Sequence, residues 1–364
     1  MQIMVTAVLL AFVLALLVTP MIRKLAFKCG ALDCPNHRKI HKQVMPRLGG
    51  LAIFISFVVA VALTREITLQ TAGLLLGGAL IVLLGYIDDT KGVSPWVKLG
   101  GQVVAACVVI SFGLKVEFLT NPFSSESLAL GILSIPVTIL WIISVTNAVN
   151  LIDGLDGLAG GTAGIASLTL AAVVWIEASR TGGTQGQWDA AVLALVLAAA
   201  IIGFLRYNFF PARIFLGDSG SMYLGFSVAT LAIMGLAKGA TYVSIIIPVV
   251  ILGIPILDTV FAIVRRYQGH KPIFQPDKEH LHHRLLQIGL SHRQAVVSLY
   301  GVNVVLGISA IAMTLIPPKQ AMIFLLVLST VILALANRIG IAGARGKATY
   351  LSQTNKEKQR SSHM

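Results

Sequence analysis

Apolar runs near the length of a bilayer crossing follow one another from residue 3 to residue 337. Apolar stretches of about 20 residues read as spanning helices. They fall at about 3–22, 48–64, 71–87, 99–114, 132–149, 159–178, 189–206, 221–237, 241–263, 294–316 and 321–337. The expected fold is therefore an all-α polytopic integral membrane protein of about eleven transmembrane helices. Composition agrees. The chain is 56% hydrophobic and 12% charged, where a soluble domain carries about 25% charged residues. The first run has no basic n-region and no small-x-small site, so it reads as a span and not as a cleaved signal peptide.

Basic residues orient the spans. With the segment after the first run placed in the cytosol and sides alternating, only Arg65, Lys115, Arg180, Lys238 and Lys319 of the 28 Lys and Arg lie outside. The positive-inside rule then gives an outside N-terminus and a cytosolic C-terminus. A net charge of +13 needs no nucleic acid to explain it. A basic cytosolic face attracts lipid headgroups and phosphate-bearing substrates. Residues 1–338 read as one transmembrane catalytic domain, and 339–364 as a basic, disordered cytosolic tail. Cys29, Cys34 and Cys107 form no CxxC pair, which argues against a disulfide framework or a zinc site.

This orientation brings four polar clusters to one side. Asp88-Asp89 end the third run. Adjacent acids there can bind a divalent cation, take a proton or raise each other's pKa, and Lys98 follows within reach of a bound phosphate. The plain alternative is a solvated loop. Asn147, Asn150, Asp153 and Asp156 recur every third residue, a step that drifts by about 60° on a straight helix. Gly154 and Gly157 should break that helix and turn the acids toward one cavity. Amides beside carboxylates suit a cation shell or a polar base and ribose, with a Gly-rich connector of Asx turns as the alternative. Asp218, in Phe215-Leu-Gly-Asp-Ser-Gly-Ser, either binds a cation or caps the helix it precedes. His280, His282, His283 and Arg284 suit a donor array for diphosphate or sugar oxygens, or a basic interfacial loop. Arg38 to Arg47 reads as a positive-inside anchor. Asp258, inside the ninth run, pairs with Arg265 or Arg266 or structures the site. Asp33 and Glu279 read as surface charges.

The segments RKIHKQVMPRLGG, NAVNLIDGLDGLAGG, FLGDSGSMYLGF and PDKEHLHHRLLQIGLSHRQAV resemble the polyprenyl-phosphate N-acetylhexosamine-1-phosphate transferases, the MraY/WecA/TagO family. The TagO-like branch, which starts wall teichoic acid synthesis, is nearest. The resemblance runs from about Lys28 to Arg293. It implies transfer of GlcNAc-1-phosphate from UDP-GlcNAc to undecaprenyl phosphate with release of UMP, in the bacterial plasma membrane, from a cytoplasm-facing site. It implies magnesium, with manganese as a substitute. Asp218 matches the metal ligand and Asn150 a second contact. Asp88 matches the acid that deprotonates the lipid phosphate, and Asp89 supports it. Lys98 matches a phosphate contact. Asp153 and Asp156 match positions lining the nucleotide pocket, Asn147 is a further substrate-binding candidate, and the three His with Arg284 match the loop that reaches the diphosphate and sugar. Other UDP-N-acetylhexosamines, an aspartyl intermediate and a homodimer stay open. Two other classes do as well: an ion-coupled transporter, which would carry its acids near the midplane, and a non-catalytic scaffold.

Overall fold

The computed structural model describes residues 2–34, 44–120, 127–236, 246–268 and 280–339. Helices come in the order α1 (Gln2–Cys29), α2 (Gly49–Thr64), α3 (Leu69–Lys91), α4 (Pro95–Ser111), α5 (Ser134–Leu151), α6 (Leu158–Thr181) and α7 (Gln185–Asn208). Then follow α8 (Asp218–Leu236), α9 (Ile246–Ile251), α10 (Gly253–Gln268), α11 (Leu281–Gln287), α12 (His292–Leu315) and α13 (Pro318–Ile339). Among the described residues the only sheet is two short antiparallel ribbons. One joins β1 (Leu32–Asp33) to β2 (Met45–Pro46), the other β3 (Phe118–Thr120) to β4 (Ser127–Ala129).

The chain is a multi-pass, all-α membrane protein. Among the described residues eight helices are long and apolar enough to cross a bilayer: α1, α3, α5, α6, α7, α8, α12 and α13. Helices α2 and α4 are apolar but shorter. Ten of the expected runs each fall on one helix. The run expected at 241–263 does not, because the chain breaks at Leu252 between α9 and α10. Pro248, Gly253 and Pro255 lie around that break, and proline and glycine are the weakest helix formers. The Arg38–Lys42 anchor, Pro276–Glu279 and the tail from 340 lie outside the described residues.

Helix α8 is the axis of the bundle. Every residue from Ser219 to Leu236 is buried, with α2, α3, α5, α6 and α7 packed around it. A helix apolar on all sides belongs in such a place. Glycine sets how closely its neighbours come. A side chain at Gly50 would collide with the backbone of Gly220, and one at Gly85 with that of Ser219. At Gly225 it would stand 2.7 Å from Thr146 Cα. Small residues at such crossings let helix backbones touch. The first turn of α8 is thereby wedged between the start of α2 and the end of α3. A backbone clip adds to this: Phe215 N donates to Pro46 O at 2.8 Å, and Gly49 N and Gly50 N donate to Phe215 O and Leu216 O at 3.0 Å.

Candidate active site

Four helix ends meet at the start of α8. Asp88 and Asp89 come from the last turns of α3, Lys98 from the first turn of α4, Asn150 from the end of α5 and Asp218 from α8. Asp218 is the hub. Its Oδ1 accepts from Asn150 Nδ2 at 2.7 Å and its Oδ2 from Lys98 Nζ at 3.1 Å. The same ammonium pairs with Asp88 Oδ2, while Asp88 Oδ1 accepts from Val93 N at 2.8 Å. Asn150 Nδ2 also reaches Ser221 Oγ at 3.1 Å. Asp88 and Asp218, far apart in sequence, thus share the one ammonium of Lys98.

Asp89 faces elsewhere. Its oxygens accept from Asp218 N at 2.9 Å and Ser219 N at 3.0 Å. It caps α8 from another helix, satisfying N–H groups that a helix start leaves without partners. Asp218 is therefore the capped residue, not the cap that the sequence left open. Both oxygens of Asp89, the acid expected to support Asp88, are thus engaged by the backbone at the start of α8. Gly217 makes the fit, since its φ is +74° and a Cβ there would lie 2.5 Å from Asp89 Oδ2. Arg47 Nε stands 3.6 Å from Asp89 Oδ1, and its Nη1 stands 3.4 Å from Asp33 Oδ1. Burial lowers the guanidinium pKa, but Asp89, Asp33, Asp218 and Asp153 outweigh it and raise the net value. Reading Arg47 as an anchor and Asp33 as a surface charge missed this. The Pro46-Arg47-Leu48-Gly49-Gly50 spacing beside a charge was the available signal.

The turn between α5 and α6 separates its acids. Gly157 has φ +80°, so the helix breaks as expected. Asp153 turns toward Asp218. Its carboxyl is pushed up to about 8 by burial and then by the Asp218 charge, against the opposing pull of Arg47. Asp156 turns away: its Oδ2 accepts from Ala212 N at 2.9 Å and its own N–H donates to His292 Nε2 at 2.9 Å. It ties this turn to the segment after α7 and to the start of α12. His292, stacked on Phe210 at 4.6 Å, was not singled out in the sequence. Asn147 lies one turn below Asn150 in a paired-amide contact with buried Gln102, with Nδ2 to Oε1 at 2.7 Å and the return bond at 3.3 Å. It locks α5 to α4. Gln102, one turn past Lys98, also went unnoticed.

The histidine segment is split in function. His280 Nδ1 lies 2.8 Å from Asp258 Oδ2, and Leu281 N donates to Asp258 Oδ1 at 2.8 Å. Asp258 thus meets the start of α11. His282 is buried against Gly154, where a Cβ would strike its ring. Its pKa falls to about 3, through burial and then the charge of His283. In this environment His282 is a neutral ring. His283 and Arg284 are half-buried.

A divalent cation fits the hub. Asp88, Asp89, Asp153 and Asp218 face two cations, Lys98 and Arg47. Carboxyl groups outnumber cations here, and Asp153, raised to about 8 by burial and then by Asp218, holds its proton near neutrality. No group of three or more His, Cys, Asp or Glu among the described residues could hold a metal. A cation at Asp218 and Asn150 would have to complete its shell with water and substrate oxygens.

Residues 71–236 match the family described as Glycosyl transferase family 4. That stretch holds Asp88, Lys98, Asn150, Asp153 and Asp218, while Arg47 and the histidine segment lie outside it. The chain is 43% identical over 311 residues to the probable undecaprenyl-phosphate N-acetylglucosaminyl 1-phosphate transferase of Bacillus subtilis, covering 85% of this chain and 84% of that one. It is 35% identical over 312 residues to the decaprenyl-phosphate N-acetylglucosaminephosphotransferase of Mycobacterium tuberculosis, covering 80% and 77%. It is 26% identical over 281 residues to the undecaprenyl-phosphate alpha-N-acetylglucosaminyl 1-phosphate transferase of Escherichia coli, covering 76% and 74%.

Proposed function

This chain belongs to Glycosyl transferase family 4, and on that footing we propose that it transfers GlcNAc-1-phosphate from UDP-GlcNAc to undecaprenyl phosphate, the first membrane step of a cell-wall polymer. The observation that carries the reading is the meeting of Asp88, Lys98, Asn150 and Asp218 at four helix ends. An ion-coupled transporter places its acids near the midplane. Here they gather at one end of the bundle.

Phosphoryl transfer asks the protein for positioning and charge neutralisation more than for covalent work. A lipid phosphate oxygen attacks the β-phosphorus of UDP-GlcNAc. The bond from that phosphorus to the bridging oxygen breaks, and UMP leaves with the oxygen. Asp88 takes the remaining proton of the lipid phosphate, a small demand because that pKa lies near neutrality. Lys98, shared between Asp88 and Asp218, offers its ammonium to the phosphate oxygens once substrate competes for it. Asp218 and Asn150 are the residues that would hold a magnesium ion, which when bound would supply charge to neutralise the diphosphate. Asp153 and the turn around it border the nucleotide. His283 and Arg284 donate to the diphosphate and sugar, Arg284 through its two-pronged fork. Asp89, Asn147 and Asp156 hold these groups in place. The site faces the cytoplasm from the bacterial plasma membrane, on the side where the basic residues collect.

The test is direct. Purified protein is incubated with undecaprenyl phosphate, magnesium and a panel of UDP-sugars, and UMP release is followed. Release with UDP-GlcNAc that depends on lipid phosphate is the expected result. Absence of UMP release with every UDP-sugar overturns the reading.

A further inference from the structure

The reaction above assigns Asp258 no task. It lies in α10, where no other charged residue precedes Arg265, and is 1% exposed. A carboxylate so placed is costly unless hydrogen bonds meet its oxygens. Here both are met, by His280 Nδ1 and Leu281 N, each at 2.8 Å.

The two contacts fall on consecutive residues and do different things. The bond from Leu281 N covers a group that the start of α11 leaves without a partner. The bond from His280 decides where the ring carries its hydrogen. A carboxylate only accepts, so the hydrogen of this bond sits on Nδ1. His282 lies parallel to His280, with centroids 5.9 Å apart, and presses on Gly154. Helix α11 is thus held between Asp258 on one side and the turn that carries Asp153 on the other. The same device appears at Asp89, where a buried acid of one helix holds the first N–H groups of the segment that bears Asp218.

We propose that Asp258 is a positioning residue for the transfer: through His280 it seats α11 so that His283 and Arg284 meet the sugar diphosphate beside Asp153. The inference rests on the transferase reading of the site. It differs from a general stabilising role in one respect. The effect of Asp258 on sugar-nucleotide use must pass through His280.

Asp258→Asn isolates that path. Its amide oxygen still accepts from Leu281 N, but its amide nitrogen now faces Nδ1 and cannot accept. We expect kcat/KM for UDP-GlcNAc to fall by about tenfold or more, as removal of an orienting partner does elsewhere. KM for undecaprenyl phosphate should stay within about threefold of wild type. In a His280→Ala background the same substitution should cost less than about threefold, since two residues in one contact do not act additively. Nitrogen-15 histidine NMR of the full chain in nanodiscs, with His280 assigned from the His280→Ala spectrum, should show a hydrogen on Nδ1. A bare Nδ1 in the wild type overturns the proposal, as does an equal loss in both backgrounds. The NMR result stands without turnover and decides the matter if Asp258→Asn does not fold. Failure of the wild type to release UMP counts against the transferase reading and leaves the state of the Asp258–His280 pair measurable.

Discussion

Replacing Asp89 separates two kinds of acid that sit side by side in the chain. If Asp89 is the cap of α8, its loss is first a loss of stability. Its oxygens meet Asp218 N and Ser219 N at 2.9 and 3.0 Å, and it is 7% exposed. Asp89→Ala leaves two buried N–H groups without partners, at about 1–3 kcal/mol each. It also removes the negative charge from the positive end of a buried helix. Together these predict a destabilisation of about 2–7 kcal/mol. Asp89→Asn keeps one accepting oxygen and the shape, and loses charge and the second acceptor, so about 1–2 kcal/mol is expected.

Heat-induced unfolding in detergent, followed by tryptophan fluorescence, reads the difference. For Asp89→Asn the midpoint should fall by roughly 2–8 °C if the usual scaling of midpoint with free energy holds. Turnover should fall with it, because Asp218 moves when its N–H is released. A chemical acid gives the opposite pattern, with turnover lost and the midpoint unchanged. An Asp89→Asn protein with a wild-type midpoint and no turnover would refute the cap and return Asp89 to the reacting groups.

Asp218→Asn should lower UMP release by orders of magnitude, as loss of a main charge-stabilising group does, and added magnesium should recover little of it; near-normal turnover excludes Asp218 as the ligand. Asp88→Asn should be partly rescued at high pH, where the lipid phosphate is already ionised. If lipid-free wild-type enzyme exchanges labelled UMP into UDP-GlcNAc, an aspartyl intermediate replaces direct attack. Cysteine placed at position 283 should react with an impermeant reagent only from the cytosolic side, and labelling of intact cells there reverses the orientation. Asp153, pushed up to about 8, binds a proton in the native state that the unfolded chain releases near pH ~4. Stability without divalent cations should therefore fall as pH rises from about 4 to about 8. Asp153→Asn should flatten that slope, and an unchanged pH profile of the unfolding midpoint counts against the raised pKa.

Asp88, Asn150 and Asp218 were legible because each sits at the end of an apolar run, and the alternation of runs brings those ends together. The break at Leu252 was not, because a 23-residue apolar stretch containing Pro248, Gly253 and Pro255 keeps the hydropathy of a span. Nor could spacing sort the acids by task. A carboxylate that caps a helix 129 residues away has the same local sequence as one that meets a substrate, and the same holds for Asp156 and Ala212, 56 apart. Pairing over such distances depends on which helices are neighbours, and periodicity along one helix does not carry that. One local sign was nevertheless present. Gly85 and Asp89 are four apart and so share a face of α3. A glycine on that face lets another backbone come into contact, and the carboxylate one turn on then meets backbone N–H groups before it meets anything else. Asp88, one residue away, points off that face toward Lys98. The pair of adjacent acids thus divides by helical phase, one turned to the protein and one to the site.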